Sequence, residues 1–163
     1  FEQKVYTGKA IKPAVTVEYE GVKLKKGTDY TVTYKNNKKV GTASVIIKGK
    51  GNYSGKQTVN FTITPKAISG FNVTRGTSKN AIRWNAIKGA TGYEIEIDKY
   101  TSSDGYWFMY EKTVTKTSKK AAYNHKISAN RYVAFSYRVR PFVKVNGVKI
   151  YGEWSDSISP YFG

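Results

Sequence analysis

Cysteine is absent from the 163 residues, and histidine and methionine occur once each, as His125 and Met109. The first absence removes disulfides and thiolate metal sites, so an oxidising environment would be harmless to the chain. No apolar run approaches the ~20 residues of a membrane-spanning helix, so no transmembrane segment is expected. No window carries helical periodicity. No serine stands in a nucleophile-elbow context, and neither a phosphate loop nor a metal-ligand cluster is present, which speaks against an enzyme, a cofactor or a metal centre. A secretory signal peptide is missing, and Phe1 reads as a start inside a module, which makes the chain look like an excised piece of something longer. Acidic residues are also scarce, 11 against 28 Lys and Arg.

What is present is β-forming. Val, Ile, Thr and Tyr are abundant between closely spaced Gly- and Asn-rich turns, which predicts an all-β protein, and the length allows one large or two small domains. The formal charge of +17 is spread evenly: residues 1–66 carry 13 basic and 4 acidic side chains, residues 67–163 carry 15 and 7. Such a balance attracts polyanions, whether nucleic acid, anionic lipid or the acidic polymers of a cell envelope. Lysines that merely solvate sheet faces and discourage edge pairing give the same balance.

The organising stretch is FSYRVRPFVKVNGVKIYGEWS, residues 135–155. Phe135, Tyr137 and Val139 alternate with Ser136, Arg138 and Arg140, as a half-buried strand requires, and Asn146-Gly147 then marks a hairpin turn because both residues tolerate positive φ. A hairpin this long needs a sheet to join. With AIRWNAIKGATGYEIEI (residues 81–97), YRVRPF (137–142) and NGVKIYGEWS (146–155), the last 95 or so residues resemble a bacterial fibronectin type III domain of the kind repeated on surface proteins of anaerobic Gram-positive bacteria. The resemblance implies a β-sandwich with Trp84 buried. It also implies that the strand bearing Glu94, Glu96 and Asp98 neighbours the one bearing Arg138 and Arg140, with Trp154 lying over a guanidinium. Position 135 holds Phe where many such domains have a tyrosine, so a tyrosine corner would have to come from Tyr132 or Tyr137.

The first part of the chain alternates over residues 14–19, 30–35, 43–48 and 57–63, with Val32 and Tyr34, Val45 and Ile47, and Val59, Phe61 and Ile63 as core faces. YTGKAIKP (residues 6–13), KGTDY (26–30), GTA (41–43), GKGNY (49–53) and FTI (61–63) resemble the short Ig-like or mostly-β-grasp modules of bacterial surface proteins. Only five residues precede Tyr6, which raises the question of a missing first strand. Pro65 ends the last strand. The expected domains are therefore 1–65, the surface module, and 66–163, the fibronectin-like sandwich, joined by a linker short enough to favour a semi-rigid rod.

One stretch exceeds structural need. In TSSDGYWFMYEKT, residues 101–113, Asp104-Gly105 turns the chain before Tyr106, Trp107, Phe108, Met109 and Tyr110. Strand alternation buries one set and leaves the other, Trp107 and Met109 or Tyr106, Phe108 and Tyr110, outside or at a rim. Core and rim packing, contact with a neighbouring domain, and ligand binding by Tyr106, Trp107 and Tyr110 all remain open readings. Glu94, Glu96 and Asp98 on one face invite an acid-base or metal reading, but ion pairing with Arg138 and Arg140 accounts for both stripes. His125 reads as a partly buried structural residue, and the sequons at Asn52, Asn60 and Asn72 as chance matches.

The sequence thus predicts a non-catalytic, extracellular spacer and adhesion pair, secreted or cell-wall associated, belonging to a larger bacterial protein. Its partners would be neighbouring domains, glycans or anionic envelope polymers, and no specific nucleic acid. The alternative is a carbohydrate-binding module appended to a secreted glycoside hydrolase.

Overall fold

Pro65 lacks an amide hydrogen and directly follows Thr64, the last residue of a long strand, and the chain divides there. In the computed structural model, which describes residues 2–160, the two units are Phe1–Thr64 and Pro65–Gly163, and all described secondary structure is β, without a helix.

The first unit contains β1 (Lys4–Val5), β2 (Glu18–Tyr19), β3 (Val22–Lys23), β4 (Tyr30–Lys35), β5 (Gly41–Gly49) and β6 (Lys56–Thr64). One sheet has the order β1-β6-β5-β4, with β1 parallel to β6 and the other pairs antiparallel; β2 and β3 form a separate hairpin. Period-2 alternation along β5 and β6 turns Ala43, Val45, Phe61 and Ile63 into the core, where Tyr6, Ile11, Val15, Val32, Tyr34 and Ile47 pack against them.

The expected strand over residues 14–19 shrinks to Glu18–Tyr19. Residues 11–17 keep the alternation of half-buried odd and exposed even positions but join no ladder. Side chains and one amide supply the missing donors instead. The carbonyl of Ile11 accepts Asn37 Nδ2 at 2.8 Å, that of Pro13 accepts the Tyr34 hydroxyl at 2.7 Å, that of Val15 the Tyr30 hydroxyl at 3.3 Å, and that of Val17 the Leu24 amide at 2.9 Å. The tyrosines and asparagine thus tie an extended segment over the sheet while satisfying its backbone, as burial demands.

The second unit contains β7 (Asn72–Thr74), β8 (Lys79–Arg83), β9 (Gly92–Thr101), β10 (Met109–Ser118), β11 (Ala122–Lys126), β12 (Val133–Val145) and β13 (Val148–Tyr151). They form two antiparallel sheets, β10-β9-β12-β13 and β11-β8-β7. Both line one core: Ile82 and Trp84 come from the smaller sheet and its continuation, and Tyr93, Ile95, Ile97, Tyr137 and Val139 from the larger. The Trp84 ring meets Tyr93 edge-on at 5.1 Å, and its buried Nε1 finds no hydrogen-bond acceptor. The β12–β13 turn is made by Asn146 at φ 50° and Gly147 at φ 83°, the left-handed pair that a two-residue hairpin needs. Beyond β13 the chain returns along β12 through reciprocal bonds between Tyr137 and Ile158, which carries Trp154 back across the outer face of the sheet.

Candidate aromatic tip and the surrounding site

Strand β9 ends at Thr101 and β10 begins at Met109, so the aromatic stretch straddles a loop and a strand start. Asp104 splints that loop. Its Oδ1 accepts the Ser102 hydroxyl at 2.9 Å and the amides of Tyr106 and Trp107 at 2.8 and 3.1 Å, while the Gly105 amide donates to Ser102 Oγ at 2.8 Å. Three consecutive amides are thereby satisfied inside the loop, with Gly105 supplying the positive φ of 82°. The amides of Tyr106 and Trp107, then the Ser102 hydroxyl, hold the Asp104 carboxyl below its ordinary range.

On this splint Tyr106, Trp107, Met109 and Tyr110 are 86, 81, 74 and 59 % exposed. Only Phe108 is half-buried. The expectation that alternation would bury one parity therefore fails, because residues 106–108 lie off the ladder and no sheet face sorts them. Tyr110 is nevertheless fixed. Its ring meets Tyr100 edge-on at 6.0 Å, and its hydroxyl lies 2.8 Å from Thr113 Oγ1, which in turn donates to Asp98 at 2.6 Å. The phenol is thus the donor in the first link. A bulge between Tyr110 and Lys112 re-aims the strand, and Glu111, hydrogen-bonded to Lys99 at 2.7 Å and so held below its ordinary pKa, clamps the base of the tip.

Neither a protein-family model nor a curated protein matches this chain.

The three expected ligand residues, Tyr106, Trp107 and Tyr110, lie within one hairpin end. Met109 joins them at the surface, while Asp104 holds the backbone of Tyr106 and Trp107 and Tyr100 packs on the ring of Tyr110. Met109 carried no separate signal, whereas Asp104 was visible in sequence as a turn residue whose splinting role depends on the folded loop. Exposed rings of this kind stack on flat apolar surfaces, and the fixed Tyr110 ring does so at low ordering cost.

Two members of the carboxylate stripe are tied up in ion pairs, whereas Asp98 accepts the hydroxyls of Thr113 at 2.6 Å and Ser136 at 3.3 Å. Glu94 Oε1 accepts Arg140 at 2.6 Å and Glu96 Oε1 accepts Arg138 at 2.6 Å, while Tyr151 donates to Glu94 Oε2 at 2.9 Å. The bond from Glu96 raises the Arg138 pKa further. Trp154 lies over both guanidinium carbons, 4.8 Å from Arg138 and 4.3 Å from Arg140. Among the described residues no three His, Cys, Asp or Glu side chains are grouped to hold a metal ion, and no helix is long and apolar enough to cross a membrane.

A second polar constellation joins the two sheets. Asn80 Nδ2 of β8 donates to the Tyr137 hydroxyl at 2.7 Å, and His125 Nδ1 of β11 lies 2.9 Å from the same oxygen. Tyr137 thus bonds side chains rather than the backbone carbonyl of a tyrosine corner. Burial pushes its phenol up to about 12, against the effect of the Asn80 bond. Burial, with the Lys116 charge as a lesser cause, lowers the His125 pKa. With Asn80 donating to the phenolic oxygen, the Tyr137 hydroxyl donates its hydrogen bond to Nδ1 of a neutral imidazole protonated at Nε2. Asn80 also lines an open cleft of about 340 Å³ with Arg75, Ser128, Asn130, Phe135 and Pro160.

The histidine gives a pH prediction. Because its folded pKa lies below the unfolded value near 6.5, the unfolded chain binds more protons as the pH falls past that point. Stability is fully present above it and declines with acidification until the folded pKa is passed. Urea unfolding at about pH 7.5 and about pH 5 should show this loss. A His125→Gln variant should lose less over the same interval; an equal loss would mean that the histidine is not its source.

Proposed function

We propose that the chain is a pair of non-catalytic modules from a bacterial surface or secreted protein, acting outside the cell as spacer and adhesive contact. In this reading the first unit is an Ig-like or mostly-β-grasp module and the second a fibronectin type III sandwich. The support is the sequence likeness, the all-β architecture in two units, and a charge of +17 suited to the anionic polymers of an envelope. The observation that carries the adhesive role is the exposed tip formed by Tyr106, Trp107, Met109 and Tyr110 on the Asp104 splint.

A second reading, a carbohydrate-binding module serving an attached glycoside hydrolase, is favoured by the fixed Tyr110 ring and the neighbouring Trp107, since rigid rings are what sugar stacking uses.

Adsorption to insoluble cellulose, xylan, mannan and teichoic-acid-bearing cell walls tests both. Trp107→Ala should lower retention about tenfold or more, equivalent to about 1.4 kcal/mol, while folding stability changes by less than about 0.5 kcal/mol because the indole is exposed. Retention on walls that disappears with salt and ignores Trp107→Ala would place adhesion in the charge rather than the tip. Absence of retention on every material would defeat both readings.

A further inference from the structure

The outer face of the larger sheet continues the tip. Tyr100 and Tyr110 share that face at one end. At the other, Tyr151 stacks on Arg140 at 3.8 Å, and Trp154 lies between the two ends, over the guanidinium groups of Arg138 and Arg140. With one side of the indole occupied by guanidinium, its other side is turned away from the sheet. Tyr100 and Glu94, which accepts the Tyr151 hydroxyl, stand six residues apart on β9, so Tyr100 and Tyr151 are separated by roughly 20 Å at strand spacing.

The strip between them is balanced in charge, unlike the module around it. Glu94 and Glu96 face Arg140 and Arg138, Lys149 Nζ reaches Glu94 at 3.9 Å, and Asp98 faces Ser136. Alongside run Thr113, Thr115 and Thr117, exposed on the same face opposite Asp98, Glu96 and Glu94. A polyanion gains little here, because each arginine is already paired and the carboxylates would repel it. A bilayer gains little either, because the strip is polar. Hydroxyl and carboxylate oxygens between aromatic ends suit an uncharged, polyhydroxylated chain, whose sugar faces stack while its hydroxyls bond the polar row.

We infer that this strip, from Tyr100 and Tyr110 past Trp154 to Tyr151, is an extended binding platform for a neutral linear glycan, with the aromatic tip at one end. The inference rests on the carbohydrate reading of the tip and adds to it a path, a charge class and a length requirement.

The test is calorimetric titration with cellohexaose, xylohexaose and mannohexaose and their disaccharides, with hexagalacturonate as the charged probe. One neutral hexasaccharide should bind at least about tenfold more tightly than its disaccharide, because it reaches both aromatic ends. Thr115→Arg, which raises a bulky side chain mid-strip at an exposed position, should abolish that advantage and leave disaccharide affinity and melting temperature unchanged. Thr117→Arg, one rung further on, serves if the first variant unfolds. Equal affinity for both lengths, with binding lost in Trp107→Ala but kept in Thr115→Arg, would overturn the platform and leave the tip reading standing. Preference for hexagalacturonate would overturn the neutral occupant. No binding of any probe would overturn the platform and the carbohydrate reading together.

Discussion

Arg140→Met is expected to lower the unfolding free energy of the second unit by about 3 kcal/mol. Glu94 is only 8 % exposed, and Arg140 contributes two of its hydrogen bonds, at 3.0 and 2.6 Å. Removing the guanidinium leaves a nearly buried carboxylate with Tyr151 and a Lys149 ammonium 3.9 Å away, and also takes the cation from beneath two aromatic rings. The penalty comes from the stranded charge more than from the lost attraction. The double variant Glu94→Gln, Arg140→Met should therefore recover more than half of it. All three tryptophans lie in the second unit, so urea unfolding followed by tryptophan emission reports on that unit alone. A loss under about 1 kcal/mol for the single variant would reduce the pair to an ordinary surface ion pair.

Tyr137→Phe should cost about 2 kcal/mol by the same measurement. The phenol is 1 % exposed and is the single oxygen on which Asn80 and His125 converge, so its removal strands a buried amide donor and a partly buried imidazole without creating a large cavity. Asn80 lies 57 residues from Tyr137 in sequence and His125 lies 12, yet they bind one atom across the two sheets. A Phe substitution as stable as the parent would mean that the bridge sets geometry without contributing stability.

These two constellations were unequally legible in the amino-acid order. Glu94, Glu96 and Asp98 alternate with buried residues, as Arg138 and Arg140 do, and period-2 patterning shows which side chains share a face. Once the strands are neighbours, opposite charges on that face have few other places to go. The burial of Trp84 was what the fibronectin-type resemblance implied. The Asn80–Tyr137–His125 bridge depends on the relative position of two stacked sheets, which no local pattern encodes. Residues 14–19 looked like a strand because their side chains alternate, but alternation, which the structure carries back to residue 11, reports burial and not who donates the hydrogen bonds. There the donors are two tyrosine hydroxyls, an asparagine amide and one backbone amide. The tip was recognised as an excess of large side chains, whereas its exposure on both parities was not, because parity has meaning only on a ladder.

The tip as a contact surface is tested most directly by the emission of Trp107, the most exposed of the three tryptophans, since Trp84 is buried and Trp154 half-buried. Acrylamide quenching of the parent and of Trp107→Phe, with and without a polysaccharide that retains the protein, isolates its signal. Trp107 emission should shift to shorter wavelength and lose quencher access on binding. Retention with an unshifted, fully quenchable Trp107 would contradict the account.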